Sequence, residues 1–357
     1  MNAPFALTAE TVATADLRDP GERVRIEGFV ADMAGNGATP FHRPAWLCAA
    51  EKGTGQRATG LVAEKGGIMT GWLPLSEVHS PLFGRALVSS GFAVGGGPLA
   101  ARRETAERLC HAASELAVRR SCSSVELRSP VAPEHWARIE GKHSNFAGDL
   151  ANDDEAQLLA IPRKQRAEIR KGLANQLKGT TGTLENDRAA HYAVYAESVR
   201  NLGTPVFPRK LFDAVLGKFG KQADILTVWE RNKAVASVLT LYHEDTAMPY
   251  WGGGVFAARE LRANEIMYYE LMCHARRRGC TRFDFGRSKT GSGPWRYKKN
   301  WGFDPLPLVY REWTAPGAVS RNIDPTDAGY SAKIDFWKKL PLPLANRIGP
   351  WIARGLA

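Results

Sequence analysis

The feature that most constrains the fold of this chain is an internal repeat. Residues 59–78 and 225–244 each consist of two apolar stretches separated by a short polar turn, so each segment predicts a β-hairpin. A glycine triplet follows each hairpin, at 95–97 and at 252–254, and the triplets are displaced by 252 − 95 = 157 residues. Repetition at a nearly constant displacement indicates that one structural unit occurs twice.

The same order of elements continues after both triplets, each of which we place on a strand. Amphipathic helices are predicted over 104–119 and 260–278, and a short strand follows each helix. These strands end beside Arg128 and Arg287, displaced by 287 − 128 = 159 residues. The order predicts an α/β (α+β) fold in which each half is a mixed sheet flanked by helices. The alternative is two unrelated α/β domains with a similar order of elements.

The boundary between the halves is predicted near residue 160. An acidic run at 152–155 precedes Pro162 and a helix predicted over 163–178, and proline is typical of a helix start. The predicted division is an N-terminal extension (1–20), a first domain (21–160), a second domain carrying the active site (161–315) and a tail (316–357). We expect the tail to pack on the first domain or to rest on a membrane surface, and its prolines argue against one continuous helix.

Length and composition limit the class of protein. The chain has 357 residues, 44% of them hydrophobic, which is enough apolar material for two domain cores. Its start lacks the pattern of a secretory leader, and no stretch approaches the roughly 18 apolar residues of a membrane span, so we expect a cytoplasmic protein. The five cysteines form no CxxC pair and have no partners at zinc-ligand spacing, so we expect structural thiols and no metal.

The net charge of +11 favours anionic partners, such as a nucleic acid, a phosphorylated or nucleotide-linked carrier, or an acidic membrane face. A basic excess of this size also occurs on proteins that bind no polyanion, so charge alone does not choose among these classes.

The segment 283–303 has the highest density of residues suited to chemistry. Asp284 lies between two phenylalanines, so on a strand its carboxylate should face away from them, with Arg287, Lys289 or Lys298 as its partner. A flexible loop at 290–294 follows. Aromatic and basic residues then interleave over 295–301, a pattern that can stack on rings while binding phosphates. The alternative is a strand whose aromatic residues face the core while its cations face solvent.

These motifs resemble the FemAB-like branch of the GNAT superfamily. FDFGRSK (283–289) with YKKNWGFDPLPLVY (297–310) is similar to members associated with PEP-CTERM/exosortase and exopolysaccharide systems, and residues 82–99, 162–172 and 340–350 extend the resemblance over nearly the whole chain. The resemblance implies tandem GNAT-like domains. It also implies transfer of an aminoacyl group, usually from aminoacyl-tRNA, to an amine of a peptidoglycan precursor.

The resemblance also suggests catalytic residues. The family's Phe-Lys pair, which belongs to its last strands, falls on Tyr297 and Lys298, with tyrosine in place of phenylalanine. An ammonium group can stabilise the oxyanion that forms when an amine attacks an ester or thioester. Asp284 could accept the proton of that amine or orient it. The catalytic candidates are therefore Lys298, Asp284 and Tyr297.

The predicted substrate-binding residues lie in the motif, on the glycine-bearing strand and on two helices. They are Arg287, Ser288, Lys289, Trp295, Trp251, Asn264, Tyr268, Arg163, Arg166 and Arg170. The three arginines recur along one helix face, which indicates a phosphate or tRNA contact or else a solvated face. Asn264 and Tyr268 also share a helix face, although Tyr268 fits a core stripe better.

The nature of the donor depends on the segment before the helix of the second half. Members of the superfamily that use acetyl-CoA usually carry a glycine-rich turn there, whose N–H groups bind the pyrophosphate. Residues 257–264 contain no glycine, nor do 100–105. Aminoacyl-tRNA is therefore the favoured donor and acyl-CoA the alternative, with Arg259 and Arg262 replacing the backbone donors. We expect no permanently bound cofactor.

Three functions remain open from the sequence. The first is a FemAB-like N-acyltransferase acting on an amine of an anionic envelope, peptidoglycan or exopolysaccharide-related acceptor. The second is an acyl-CoA-dependent GNAT N-acyltransferase acting on amino acids or amino sugars. The third is a non-catalytic adaptor of exosortase or polysaccharide assembly. The expected partners are such an acceptor, tRNA and, through the tail, the inner face of the membrane, but not DNA.

Overall fold

The computed structural model describes residues 9–319, 321 and 328–356. In chain order, the helices and strands of the first half are β1 (Thr11–Thr14), α1 (Pro20–Asp32), α2 (Pro44–Thr54), β2 (Arg57–Lys65), β3 (Ile68–Ser80), β4 (Gly84–Ser89), β5 (Leu99–Ala100), α3 (Arg103–Arg119), β6 (Ser124–Leu127), β7 (Ala137–Ile139), β8 (His143–Asn145), β9 (Ala147–Asp149), α4 (Asp154–Ala160) and α5 (Arg163–Ala174). The remainder are β10 (Leu177–Gly182), α6 (Glu185–Leu202), α7 (Arg209–Phe219), β11 (Ala223–Glu230), β12 (Lys233–His243), β13 (Thr246–Gly254), α8 (Ala258–Leu261), α9 (Ala263–Arg277), β14 (Arg282–Asp284), β15 (Ser288–Lys289), α10 (Gly293–Asn300), β16 (Leu306–Pro307), β17 (Tyr310–Thr314), α11 (Ala328–Lys339) and α12 (Leu342–Ala353).

The first compact unit runs to Ile139 and takes up the segment that begins at Val309. Its sheet has the order β1-β2-β3-β4-β6-β17-β7, with β5 paired to β3. The β4–β6 pairing is parallel, and α3 lies in the chain between these two strands. Leu109 of α3 packs with Leu73 and Leu87 of the sheet in the buried core, so the predicted crossing helix forms.

The second compact unit runs from Glu140 to Leu308 and takes up the C-terminal helices. Its main sheet has the order β10-β11-β12-β13-β14-β9. β13 and β14 run parallel but pair at only two positions, Thr246 with Arg282 and Ala247 with Phe283. Among the described residues, no pairing joins these two strands beyond Ala247, although β13 continues to Gly254, so the strands separate there. Separately, β15, β8 and β16 form a small three-stranded sheet.

The tail helices α11 and α12 both contact α6 and so belong to the second unit. The predicted packing of the tail on the first domain is therefore corrected for these helices. Gly349 lets α12 lie close to the backbone at Val206, since a Cβ on Gly349 would lie 3.0 Å from the amide nitrogen of Val206. The helices are separate because Pro341, which lies between them, interrupts the backbone hydrogen bonds of a continuous helix.

Both predicted hairpins are confirmed, as β2–β3 and β11–β12, and so is the mixed α/β class. The unit boundary falls at Ile139, earlier than the predicted residue 160, because β9 pairs with β14 and β8 pairs with β15. The predicted end of the second domain at residue 315 also differs, since β17 pairs with β6 and β7 of the first unit.

Several predicted elements differ in detail. Residues 95–97 lie in a loop and not on the predicted strand. A Cβ on Gly97 would overlap the side chain of Ser129. The helix predicted to reach residue 178 ends at Ala174, because residues 177–182 pair with β11 as β10. The helix predicted over 260–278 is interrupted at Arg262, whose φ of +58° is left-handed. In the part of the chain that the structure describes, no helix is long and apolar enough to cross a bilayer.

Candidate functional site

The site is built around Lys298, which lies on α10. The side chain of Ser292 caps this helix by accepting a hydrogen bond from the amide of Trp295 at 3.3 Å. Near the other end of the helix, Lys298 Nζ donates to the carbonyl oxygens of Gly286 at 2.9 Å and Arg287 at 3.1 Å. The alternative considered for this segment, a strand with its aromatic residues facing the core, does not hold, because residues 293–300 form a helix and do not alternate between two sheet faces.

The surroundings of Lys298 weaken its basicity. Burial lowers the pKa of the amine to about 7, Asp284 acts in the opposite direction and Arg287 adds to the lowering. Near neutral pH the side chain is therefore divided between the ammonium and the neutral amine. A lysine of this kind can change its protonation state during a reaction at physiological pH.

Asp284 is the largely buried carboxylate beside Lys298. Its Oδ1 accepts hydrogen bonds from Asn145 Nδ2 at 3.0 Å and from the amide of Gly286 at 2.9 Å. Burial raises the pKa of the carboxyl, while these two hydrogen bonds and the charge of Lys298 oppose the rise. Its chain neighbours Phe283 and Phe285 are both buried in the core.

Asn145 was not predicted as a site residue. It comes from the three-residue strand β8 and lies 139 positions before Asp284 in the chain. A single asparagine in a short polar segment carries no sequence pattern, so only the pairing of distant strands reveals it.

Lys298 lies where β13 and β14 separate. A Cβ on Gly286, a residue with a φ of +76°, would lie 3.9 Å from Lys298 Nζ and 3.8 Å from the carbonyl oxygen of Pro249 on β13. The rings of Phe285 and Phe146 lie 5.5 Å and 5.8 Å from the same nitrogen. Apolar rings and backbone carbonyls therefore surround the amine, which accounts for its desolvation.

Tyr297 belongs to a different group of side chains. Its ring lies 6.1 Å, between centroids, from those of Tyr268 and Trp301. Burial raises the pKa of its hydroxyl, and the carboxylate of Glu265 raises it further. The structure thus brings together Lys298 and Asp284, and it groups the predicted catalytic Tyr297 with Glu265 instead.

The remaining predicted residues of the motif lie around β15. Ser288 and Lys289 form this strand and pair with Ser144 and His143 of β8. Trp295 donates from Nε1 to Ser144 Oγ at 3.3 Å. Arg287, whose carbonyl accepts from Lys298, is half-buried. Arg287, Ser288 and Lys289 are thus consecutive residues beside Lys298, and Trp295 on α10 contacts the same small sheet through Ser144.

Two aromatic residues predicted to bind substrate are packed into the core. Trp251 is buried, with ring centroids 4.8 Å from those of both Phe212 and Tyr250. Tyr268 lies 4.6 Å from the ring of Phe285, which matches the core-stripe alternative. Both side chains thus have a packing role that is independent of any substrate.

The predicted arginines on α5 are mostly solvated. Arg163 and Arg170 are exposed, whereas Arg166 is half-buried and donates to the carbonyl of Leu159 at 2.9 Å. This arrangement matches a solvated face and leaves Arg163 and Arg170 accessible to an anion.

The start of α9 lies beside the predicted pyrophosphate segment. The guanidinium of Arg262, the residue before the helix, forms an ion pair with Glu168 of α5, which also pairs with Lys171 at 2.7 Å. Arg262 is therefore already engaged. Asn264, near the start of the same helix, lies against Gly254, where a Cβ would meet its Oδ1 at 2.8 Å.

Comparison with known proteins gives a consistent fold. Residues 163–299 match the model of the acetyltransferase (GNAT) domain family. No curated protein sequence matches the chain significantly.

Several solved structures share the fold at low sequence identity. The structure of FemX has a TM-score of 0.61 at 13% identity and covers 81% of this chain and 95% of FemX. The C-terminal domain of a putative lysylphosphatidylglycerol synthetase from Agrobacterium fabrum has a TM-score of 0.55 at 12% identity, covering 82% of this chain and 93% of that domain. A tandem GNAT protein from the clavulanic acid biosynthesis pathway has a TM-score of 0.56 at 11% identity, covering 87% of this chain and all of that one (100%).

At these identities the structures establish the fold alone, and the family match lies entirely within the second unit. The parallel pair that separates beside Lys298 belongs to the matched segment. Residues 163–299 of the second unit are therefore similar to an acetyltransferase domain of the GNAT family.

Proposed function

We propose that the chain is a FemAB-like acyltransferase that transfers an aminoacyl group to an amine of a cell-envelope acceptor. The observation that carries the proposal is the desolvated Lys298–Asp284 pair at the point where β13 and β14 separate. The likeness in fold to FemX and to a lysylphosphatidylglycerol synthetase, a name that implies a lysyl group on a lipid, supports this choice within the GNAT family.

Lys298 acts in its ammonium form. Two of its three N–H bonds are directed to the carbonyls of Gly286 and Arg287, which hold the nitrogen in place and leave one N–H for the substrate. That N–H donates to the carbonyl oxygen of the acyl group as negative charge develops on it. In a site with little water, such a charge-assisted hydrogen bond stabilises the transition state strongly.

Asp284 accepts the proton of the attacking amine. Its raised pKa makes it a better base than an exposed carboxylate, and Asn145 fixes its orientation. The amine nitrogen forms a bond to the acyl carbon and its proton passes to Asp284. The bond between the acyl carbon and the donor oxygen then breaks, and the leaving oxygen takes up the proton that Asp284 accepted.

Aminoacyl-tRNA is the proposed donor. The segment before α9 lacks the glycines whose backbone N–H groups usually bind the pyrophosphate of CoA. Arg262, which could replace those groups, is already paired with Glu168. Arg163 and Arg170 are exposed and suited to a nucleic-acid phosphate.

The proposed acceptor is an amine of an anionic peptidoglycan or exopolysaccharide-related precursor in a PEP-CTERM/exosortase-associated system. Two observations support it. The motifs 283–289 and 297–310 resemble those of that group, and the net charge of +11 favours an anionic substrate.

An acyl-CoA-dependent N-acyltransferase is the second candidate. It is favoured by the match of residues 163–299 to a family described as acetyltransferases. Titration calorimetry with acetyl-CoA and with charged tRNA distinguishes the two, because tight binding of acetyl-CoA together with no binding of charged tRNA would overturn the proposed donor.

The chemistry is tested by single-turnover transfer with Lys298→Ala and Lys298→Arg. We expect Lys298→Ala to be about 10²- to 10³-fold slower, as for loss of an oxyanion donor. The ammonium form of Lys298 is lost as pH rises through its pKa of about 7, whereas arginine keeps its charge. The rate of the wild type relative to Lys298→Arg should therefore fall from pH 6 to pH 8.

Lys218→Ala is the matched control, because this lysine is exposed on α7 of the same unit. Undiminished transfer by a folded Lys298→Ala, or a rate ratio that does not change with pH, would contradict the proposed role of the amine.

A further inference from the structure

The helix α12 has its large apolar side chains on the outside. Its buried positions are the small residues Ala345, Gly349 and Ala353, which face the rest of the second unit. Leu344, Ile348 and Trp351 retain 42%, 37% and 49% of their surface in contact with solvent. These three residues recur at spacings of four and three and therefore form one stripe along the helix. We call it the α12 apolar face.

Cations flank the α12 apolar face. Arg347 is exposed on the same side of the helix, within about one turn of all three apolar residues. Lys338 and Lys339 are exposed at the end of α11, immediately before α12. Over residues 334–356 the sequence holds these three cations and Arg354 but a single acidic residue, Asp335, so the segment is basic.

We propose that the α12 apolar face docks in the plane of an anionic lipid bilayer. A helix with leucine, isoleucine and tryptophan on one side and basic residues beside them matches the chemistry of a membrane interface. The aromatic side chain suits the headgroup level, and the cations suit anionic headgroups. The 12 residues of the helix are too few to span a bilayer, so the helix lies on the surface.

Charge favours a bilayer over a second copy of the chain. In a two-fold dimer through this face, Arg347 of one copy would approach the same basic surface of the other. An anionic surface instead neutralises these cations, and the apolar stripe is buried among acyl chains.

The experiment is flotation of the full chain with vesicles. One set contains phosphatidylcholine alone, and the other contains about one third phosphatidylglycerol as the anionic lipid. We expect binding to the anionic vesicles that weakens with added salt. The double variant Ile348→Gln/Trp351→Gln should bind at least about tenfold more weakly, and Arg347→Gln roughly fivefold more weakly.

Leu159→Gln is the matched control, since Leu159 is 56% exposed on α4 and lies outside this face. Its binding should equal that of the wild type. Circular dichroism checks that the variants fold, and the salt dependence of the wild type tests the charge contribution independently of any variant.

Three results would overturn the proposal. The first is a wild type that does not bind anionic vesicles, or that binds both vesicle types equally. The second is a double variant that binds as tightly as the wild type. The third is a dimer in sedimentation that the double variant abolishes, in which case the face joins two copies of the chain.

Discussion

His191 is a completely buried ionisable group of the second unit outside the site. Its Nδ1 lies 3.0 Å from Ser237 Oγ, which in turn lies 2.9 Å from Thr227 Oγ1. Its ring packs against Tyr195 and Phe212, with centroids 5.9 Å and 5.6 Å apart. Burial lowers the pKa of His191 to about 3, because the imidazolium would lose its hydration in this position.

The stability of the second unit should therefore fall in acid. The unfolded chain binds a proton at this histidine below pH 6.5, while the folded chain stays neutral down to about pH 3. The stabilisation is complete above pH 6.5 and decreases as pH falls towards 3. Between pH 7 and pH 5 the free energy of unfolding should drop by about 2 kcal/mol from this residue. Urea unfolding at both pH values measures the drop.

His191→Asn is the control, since its amide can replace the hydrogen bond to Ser237 but does not titrate in this range. Over the same pH interval, the free energy of unfolding of the variant should fall by about 2 kcal/mol less than that of the wild type. If both proteins lose the same free energy, His191 is not the group responsible.

At the level of elements, α10 is the short helix that carries the site lysine. It has eight residues, none of them fully buried, so its end cap contributes a large part of its stability. Lys298 reaches its two carbonyl acceptors in a different segment, and this links the order of the helix to the order of the site.

Ser292→Ala should loosen α10. Loss of the cap costs about 1 kcal/mol, which should raise the amide exchange rates of residues 295–300 by about fivefold. Ser292→Asp should restore slow exchange, because aspartate caps a helix and its charge suits the N-terminus. Hydrogen exchange followed by mass spectrometry provides the measurement. Unchanged exchange in Ser292→Ala would show that packing, not the cap, holds the helix.

At the level of the whole molecule, neither unit is a single continuous piece of chain. The first takes in β17, and the second takes in the tail helices α11 and α12. The second unit also contains β8 and β9, which the predicted boundary at 160 assigned to the first domain. β9 pairs along all three residues of β14, and β8 is the central strand of the small sheet beside Lys298.

A fragment starting at the predicted boundary should therefore be less stable than one starting at Glu140. Residues 140–308 keep β8 and β9, whereas residues 161–308 lose these partners of β14, β15 and β16. Both fragments lack the tail helices equally. We expect cooperative urea unfolding of the longer fragment and a broad, weak transition in the shorter one. Equal cooperativity would mean that β8 and β9 are dispensable for the fold.

The sequence by itself determined the features that depend on local patterns. Apolar alternation around polar turns predicted both hairpins, and the repeated order of elements predicted the mixed α/β class. The motif 283–303 offered Arg287, Lys289 or Lys298 as the partner of Asp284, and the structure places Lys298 beside it. These features were accessible because neighbouring residues alone set the period of a strand or helix.

Only the tertiary structure decided which distant segments meet. Asn145 reaches Asp284 through β8, Glu265 joins Tyr297, and Glu168 pairs with Arg262. Burial in the folded chain also lowers the pKa of Lys298 and places the side chain of Trp251 in the core. Contacts and desolvation of this kind depend on how the whole chain packs, and no local pattern of residues encodes them.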